Sequence, residues 1–179
     1  MSRRLTPIIA ISAITLLSAG VVWLTNSRAA SDPTGLADTT PQGPGLERYL
    51  DPVGGFFFDY PAGLKITVTD DGDSHVIFGD TPEGETRLMV VAYPYVLDEP
   101  LTGELIQTQF GDAITSPIAP LPLSLGTAFT FQRTDTPLGA TQDALFTHGG
   151  VAYQVSATAS STELFNRVLD TWRFAPTSL

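Results

Sequence analysis

The sequence predicts an α+β domain, a mostly antiparallel sheet of about six or seven strands flanked by helices and preceded by an N-terminal transmembrane helix. Three observations predict this fold class. Short stretches alternate apolar with polar residues between turn residues, as hairpin strands do. The segment 160–172 carries an apolar stripe of helical period instead. Finally, Ile8–Leu24 is uncharged and mostly apolar.

The sequence predicts that residues 1–29 form a membrane anchor or signal segment. Ile8–Leu24 is 17 residues long, and a helix needs about 17–25 residues to span the hydrocarbon core. Arg3 and Arg4 precede it and predict an N-terminus inside the cytoplasm. Small residues at Ala19 and Ala29 leave signal cleavage and secretion open. Either way, we expect the rest of the chain outside the cytoplasmic membrane, in the periplasm or at the cell exterior.

The sequence predicts that residues 30–45 form a flexible linker, which leads to a folded domain at 46–179. The linker is rich in Pro, Gly, Thr and Asp and poor in large apolar residues. Such a composition cannot bury enough surface to order itself.

The charge of the chain is strongly acidic. Nine Lys and Arg face nineteen Asp and Glu, and three of the nine lie in the first 28 positions, ahead of every acid. The remainder carries six positive and nineteen negative charges, a formal net charge of −13. Because phosphate binding needs a basic face, this charge argues against nucleic acid as a partner. The charge favours solubility and leaves open attraction to cations or to a basic protein.

The first half of the domain predicts four strands and a helix. Phe56, Phe58 and Tyr60 point one way from the first strand, and Phe57 and Asp59 point the other. Because both sides are largely apolar, we expect this strand within a sheet that is covered on both faces. The next strands are predicted around 66–69, 76–78 and 86–95, and a helix at 102–110 with Thr102 as its N-cap.

The second half predicts a loop, three strands and a closing helix. Ser116–Gly126 contains three prolines and predicts a loop of extended character. Strands follow around 129–132, 141–147 and 151–157, the last two joined by Gly149-Gly150, a hairpin signal. Ser160 and Glu163 have capping-box spacing at the start of the last helix. Its apolar stripe consists of Leu164, Phe165, Val168, Leu169 and Trp172.

Two segments of the chain resemble the PsbP-like superfamily, which comprises the photosystem II extrinsic protein and bacterial relatives. "YLDPVGGFFFDYPAGLKI" at 49–66 is similar to the opening of that family, and "YQVSATASSTELFNRVLDTWRF" at 153–174 is similar to its last strand and closing helix. Leu64 departs from the Trp that many relatives carry. The resemblance implies an α/β/α sandwich and a non-enzymatic accessory or binding domain, without implying a photosynthetic role.

No catalytic motif is present, so the sequence predicts no catalytic residue and no enzyme activity. The patterns G-x-S-x-G, H-E-x-x-H and the P-loop do not occur. His75 and His148 are predicted to be exposed turn residues. An envelope hydrolase with an unrecognised site remains an alternative function.

Two candidate sites remain, and neither implies a resident cofactor. Asp70, Asp71 and Asp73 of the "DDGD" turn could hold a hard cation such as Ca²⁺, although the EF-hand spacing is absent and a solvated turn is favoured. Tyr93, Tyr95 and Phe110 could line a ligand or partner cleft between sheet and helix, with core packing as the alternative. The predicted function is a membrane-tethered extracytoplasmic accessory domain that interacts with an envelope protein.

Overall fold

Ten strands, two α-helices and one short 3-10 helix (Gly111–Ala113) make up the regular structure in the part of the chain that the structure describes. The computed structural model describes residues 40–41, 43–52, 55–70, 72, 74–97, 99–124 and 126–175. The strands are β1 (Leu46–Leu50), β2 (Phe56–Pro61), β3 (Lys65–Asp70), β4 (His75–Asp80), β5 (Thr86–Pro94), β6 (Ala119–Leu123), β7 (Gly126–Thr136), β8 (Gly139–His148), β9 (Val151–Thr158) and β10 (Arg173–Phe174). The α-helices are α1 (Gly103–Phe110) and α2 (Thr162–Thr171).

The predicted membrane segment Ile8–Leu24 lies outside these described ranges. Within them, no helix has the length and apolar character that crossing a membrane requires.

Seven strands form one antiparallel sheet in the order β3-β4-β5-β9-β8-β7-β6. Gly149 and Gly150 make the turn between β8 and β9 with φ of 58° and 79°. Glycine adopts this left-handed backbone without the steric cost of a side chain, so the hairpin is tight. The prediction of a mostly antiparallel sheet with two helices is confirmed.

The strand with three consecutive phenylalanines is not part of that sheet, so its predicted place was wrong. β2 lies between β1 and β10 in a separate three-stranded sheet. Phe56 and Phe58 are fully buried, and so is Asp59 on the opposite side of the strand. Arg48 of β1 covers Asp59, with Nε 2.6 Å from Oδ1 and Nη2 3.1 Å from Oδ2. The second side of β2 is therefore closed by a charged pair rather than by an apolar layer.

Two hydrophobic clusters occupy opposite faces of the seven-stranded sheet. Ala144 and Phe146 of β8 belong to the larger cluster, and Leu145 between them belongs to the smaller one. The larger cluster joins the sheet to the three-stranded sheet and to α2, whose predicted apolar stripe is buried as expected. Trp172 is at its centre, with its ring 4.5 Å from that of Phe56 and parallel to it within 8°.

α1 covers part of the other face, and its predicted N-cap is confirmed. Thr102 Oγ1 accepts a hydrogen bond of 3.2 Å from the Leu105 N–H, which satisfies one of the free donors of the first turn. Ile106 is fully buried against Phe131 and Leu145.

Two local predictions were wrong. Ala119–Leu123 is the strand β6 rather than a loop. β6 is an edge strand, so it tolerates Pro120 and Pro122 at positions where the ladder needs no N–H.

The capping box predicted for the last helix, with Ser160 as its first residue, does not form. The N-cap residue is Ser161, and its side chain makes no capping hydrogen bond. The Ser161 hydroxyl pairs with Thr158 Oγ1 at 2.8 Å instead.

Candidate binding site

Tyr93 and Phe110 lie on the face of the sheet that α1 covers. Tyr93 is near the end of β5, and Phe110 is the last residue of α1. Both are half-buried and pack against the small cluster whose centre is Ile106. The structure thus brings together two of the three residues that the sequence predicted for a ligand cleft.

Arg133 of β7 completes the packing around Phe110. The side chain is 9% exposed, and its Nε lies 3.4 Å from Asp143 Oδ1. Its guanidinium carbon stands 4.5 Å from the centroid of the Phe110 ring. Sequence reasoning did not single out Arg133. A basic residue that continues the period-two series Phe129, Phe131 on the same face of β7 was the available signal.

Asp143 of β8 is a fully buried carboxylate that holds Arg133 in place. Its Oδ1 accepts hydrogen bonds from Ser156 Oγ at 2.6 Å and Gln154 Nε2 at 2.9 Å. Its Oδ2 accepts from the Thr141 hydroxyl. With both oxygens engaged, the carboxylate positions neighbouring groups rather than reacting with a substrate.

The two tyrosines present neutral phenols at physiological pH. Burial raises the pKa of Tyr93, and a hydrogen bond with Gln109 and the charge of Arg133 partly offset that effect. Burial also raises the pKa of Tyr95, and the nearby Glu99 carboxylate adds to the shift. The Tyr95 hydroxyl donates to the Glu99 carbonyl at 2.9 Å, which ties down the loop after β5.

An exposed apolar side chain follows directly after these tyrosines. Val96 is 80% exposed, and its neighbour Tyr95 is held by a 2.8 Å bond from its N–H to the Gly150 carbonyl. We define the Tyr93 surface as Tyr93, Tyr95, Val96 and Phe110. Aromatic rings with polar tips beside an apolar side chain suit the contacts that protein interfaces make.

Comparison with known proteins identifies the fold. No family model matches the chain, and no curated protein matches it. The solution structure of cyanobacterial PsbP (CyanoP) from Synechocystis sp. PCC 6803 is similar, with a TM-score of 0.53 over 82% of this chain and 98% of that one. The chain has a PsbP-like fold. The sequence identity is 16%, so the similarity concerns the fold alone.

A second solved structure, a crystal structure of a protein from Bacteroides thetaiotaomicron VPI-5482, is more distant. It has a TM-score of 0.45 and 12% identity, and the match covers 71% of this chain and 47% of that one.

The PsbP-like domain places the segments that carried the resemblance in one unit. Residues 49–66 include β2, and residues 153–174 include most of β9, α2 and β10. Phe56 and Phe58 from the first segment stack on Trp172 from the second, with centroid distances of 4.5 and 5.4 Å. The two resembling segments therefore form the main core together.

The predicted cation site is only partly described. Asp71 and Asp73 lie outside the described residues, and Asp70 is the exposed end of β3. Asp70 Oδ1 accepts the Gly72 N–H at 2.8 Å, an ordinary turn bond. Among the described residues, no group of three His, Asp or Glu side chains could hold a metal. The Ca²⁺ hypothesis stays a prediction.

His75 does not lie in an exposed turn, so that prediction was wrong. It begins β4, and its Nε2 lies 2.6 Å from Oδ2 of Asp51, which follows β1. This contact is a close polar pair without hydrogen-bond geometry. Tyr49 donates its hydroxyl to the same oxygen at 2.8 Å. Both ring nitrogens are enclosed, which favours a structural joint between the two sheets over a catalytic base.

His148 is exposed, as the sequence predicted, at the end of β8. Its ring stacks on Phe174 with centroids 3.8 Å apart.

An open groove of about 740 Å³ lies at the start of α2. Its polar lining includes Arg87, Ser161 and Glu163. Arg87 is paired with Glu85 at 2.9 Å, and the Ser161 hydroxyl is paired with Thr158. No nucleophile and base are brought together among these groups, so the groove gives no support to hydrolysis.

Proposed function

We propose that the protein is a non-catalytic binding domain, tethered to the outer face of the cytoplasmic membrane by Ile8–Leu24, that recognises an envelope protein through the Tyr93 surface. The observation that carries the proposal is Val96, which is 80% exposed directly beside Tyr95. The PsbP-like fold is consistent with an accessory domain.

The Tyr93 surface has the chemistry of a small protein interface. Its two phenols remain neutral hydrogen-bond groups, since burial raises the pKa of each. Covering an exposed valine contributes about 1.5–3 kcal/mol, and an interface gains further from aromatic side chains that are already held in place. The Arg133 guanidinium, paired with Asp143, packs against the ring of Phe110 and holds it in place. The Phe110 side chain therefore needs little reordering when a partner binds.

The charge of the domain favours a partner with a basic face. The chain beyond residue 28 has a formal net charge of −13. Attraction between opposite charges raises the rate of encounter more than the final affinity, and it weakens with salt. We therefore expect slower association with the partner at high ionic strength.

The linker sets how far the domain reaches from the membrane. We propose that residues 30–45, sixteen in number, act as the flexible tether that their composition predicts, for which the r.m.s. span is about 20–24 Å. A domain on such a tether meets partners that are embedded in the membrane or attached to its outer surface.

Site-specific photo-cross-linking in intact cells tests this proposal. A photoreactive residue replaces Val96 in the full-length chain, and a second version carries it at Val68, which is also an exposed apolar position. We expect one envelope protein to be captured from Val96 and not from Val68. Equal capture from both positions, or capture from neither, contradicts the proposed surface.

Two further measurements complete the test. Protease treatment of intact cells or spheroplasts should digest the domain from outside, and the mass of the N-terminus reports whether Ile8–Leu24 is retained. The captured protein is then purified, and its affinity is measured for the full-length chain and for V96K. We expect V96K to lower the affinity about tenfold or more, since a charge replaces a buried apolar contact.

A further inference from the structure

The charged side chains of the domain are unevenly distributed around the large sheet. Positions 88–159, which include α1 and β6–β9, carry one positive and six negative charges, a formal net charge of −5. The acidic residues are Asp98, Glu99, Glu104, Asp112, Asp135 and Asp143. Asp98 lies outside the described residues, Asp143 is buried, and the other four are exposed. The single basic residue, Arg133, is buried and paired with Asp143, so its charge is used inside the domain.

The other basic residues of the domain belong to different parts of the fold. Three of them are in β1, α2 and β10, elements on the opposite face of the large sheet, namely Arg48, Arg167 and Arg173. Lys65 is on the edge strand β3. Arg87 is six residues from Tyr93 along β5 and is paired with Glu85. The face that α1 covers is therefore the acidic side of the domain, and the Tyr93 surface has acidic neighbours.

Tyr95 is held at both ends beside one of the exposed carboxylates. Its N–H donates to the Gly150 carbonyl at 2.8 Å, and its hydroxyl donates to the Glu99 carbonyl at 2.9 Å. The Glu99 carboxylate is near enough to the phenol to add to the rise of its pKa. Within the described part of the chain, no basic side chain pairs with Glu99. An aromatic ring and an unneutralised carboxylate are therefore neighbours at the surface.

A ring beside a carboxylate attracts a cationic side chain. The face of an aromatic ring carries negative electrostatic potential, and the carboxylate adds a full negative charge. The domain makes such a contact in its interior, where Arg133 lies over the ring of Phe110 and pairs with Asp143. Tyr95 and Glu99 offer the same two groups to a cation from outside the domain.

We propose that the partner presents an arginine to the Tyr93 surface, and that its guanidinium lies on the Tyr95 ring and pairs with the Glu99 carboxylate. This inference rests on the proposed function and adds the chemical identity of the group that is recognised. Arginine fits better than lysine, since a planar guanidinium can stack on a ring and pair with a carboxylate at the same time. An apolar residue beside that arginine covers Val96, which is 80% exposed.

Titration with a small cation tests this site without the partner. The full-length chain in nonionic detergent micelles is titrated with N-acetyl-arginine methylamide, and NMR follows the ring signals of Tyr95 and the amide signal of Glu99. The control probe is N-acetyl-citrulline methylamide, which has nearly the same shape and no charge. We expect saturable shifts at both residues with the arginine probe and none with citrulline. Equal shifts with the two probes, or no shift with either, overturn the proposal.

Two matched variants separate this site from general attraction to an acidic domain. E99Q and E104Q each remove one exposed carboxylate, and of the two residues Glu99 is the one tied to Tyr95. We expect E99Q to raise the dissociation constant of the arginine probe about threefold or more and E104Q to leave it within about 1.5-fold. Y95L removes the ring and should also weaken binding, and circular dichroism reports whether each variant folds. Equal effects of E99Q and E104Q overturn the proposal.

Cross-linking in intact cells tests the same site against the partner itself. The photoreactive residue at Val96 is combined with E99R or with E104R, which change the net charge equally. We expect E99R to reduce capture about fivefold or more and E104R to leave it nearly unchanged. Equal capture in the two variants overturns the arginine contact while the proposed surface stands. Absence of capture from Val96 in the otherwise unchanged chain contradicts the proposed function instead, and the probe titration then decides separately whether Tyr95 and Glu99 bind arginine.

Discussion

The guanidinium carbon of Arg133 lies 4.5 Å from the centroid of the Phe110 ring. A cation over an aromatic face within about 6 Å of the centroid is attracted by the ring. Arg133 is held on its other side by Asp143, with 3.4 Å between Nε and Oδ1. The last residue of α1 is thus fixed by a charged pair that belongs to β7 and β8.

Replacing Asp143 with alanine should destabilise the domain by about 3–5 kcal/mol, since one partner of a buried ion pair is lost. Arg133 would stay buried with Asp135 as its remaining acidic neighbour at 3.7 Å. The donors of Gln154 and Ser156 would also lose their acceptor. Urea unfolding followed by circular dichroism gives the free energy of unfolding of each variant. The matched control is D135A, whose carboxylate is 53% exposed; its cost should be below about 1 kcal/mol. Equal costs for the two variants contradict the assigned role of Asp143.

The sequence predicted part of this site. A predicted helix ending at Phe110 and a predicted strand at 86–95, which contains Tyr93, were enough to place two aromatic residues near each other. The ion pair between Arg133 and Asp143 depends on the register of β7 against β8, where Arg133 pairs with Thr141 and Phe131 with Asp143. Register is a property of the assembled sheet, and a single sequence does not determine it.

The buried Arg48–Asp59 pair should show strong coupling in a double-mutant cycle. Its two hydrogen bonds are 2.6 and 3.1 Å, and Asp59 is fully buried. We expect R48A to cost about 3–5 kcal/mol and R48A/D59A to cost less than the sum of the single variants. The exposed pair Arg87–Glu85 is the control, with an expected coupling below about 1 kcal/mol. Additive effects of R48A and D59A would show that the two groups do not stabilise each other.

The same pair explains why the three-stranded sheet was not predicted. Asp59 in a phenylalanine-rich strand indicated a polar contact. Its partner, Arg48, lies 11 residues earlier in β1, a strand too short to be recognised from alternation. β10 has two residues, too few for alternation to be visible. The large sheet was easier to predict because its strands are longer and hairpin turns separate most of them.

Gly79 should tolerate no larger residue. It lies in β4, and a Cβ at this position would be 3.0 Å from Leu88 Cβ in the fully buried core. G79A should therefore destabilise the domain by about 1–3 kcal/mol through overpacking. G103A is the matched control, since its Cβ would meet Ile118 Cγ2 at 3.4 Å, an ordinary contact, and alanine favours the helix. Thermal unfolding should give a lower midpoint for G79A and an equal or higher one for G103A, and the reverse order would refute the packing argument.

Stability should fall at alkaline pH because the buried tyrosines stay protonated in the folded chain. Burial raises the pKa of Tyr49, Tyr93 and Tyr153, and it raises the pKa of Tyr60 to about 12. Below about pH 10 the phenols are neutral in both states, and their contribution to stability is complete. Above that pH the unfolded chain ionises first and binds fewer protons, so the free energy of unfolding decreases.

Urea unfolding midpoints measured from about pH 8 to about pH 12 test this sign. The curve should be flat at first and then descend, while phenolate absorbance should rise later for the folded chain than for the urea-unfolded one. In Y60F the descent should be shallower up to about pH 12, where Tyr60 itself ionises in the folded state. The hydroxyl of Tyr60 also donates to Glu47 at 3.0 Å, so Y60F should start from a lower stability at neutral pH. A descent of equal steepness in both proteins would show that Tyr60 does not contribute to the alkaline loss of stability.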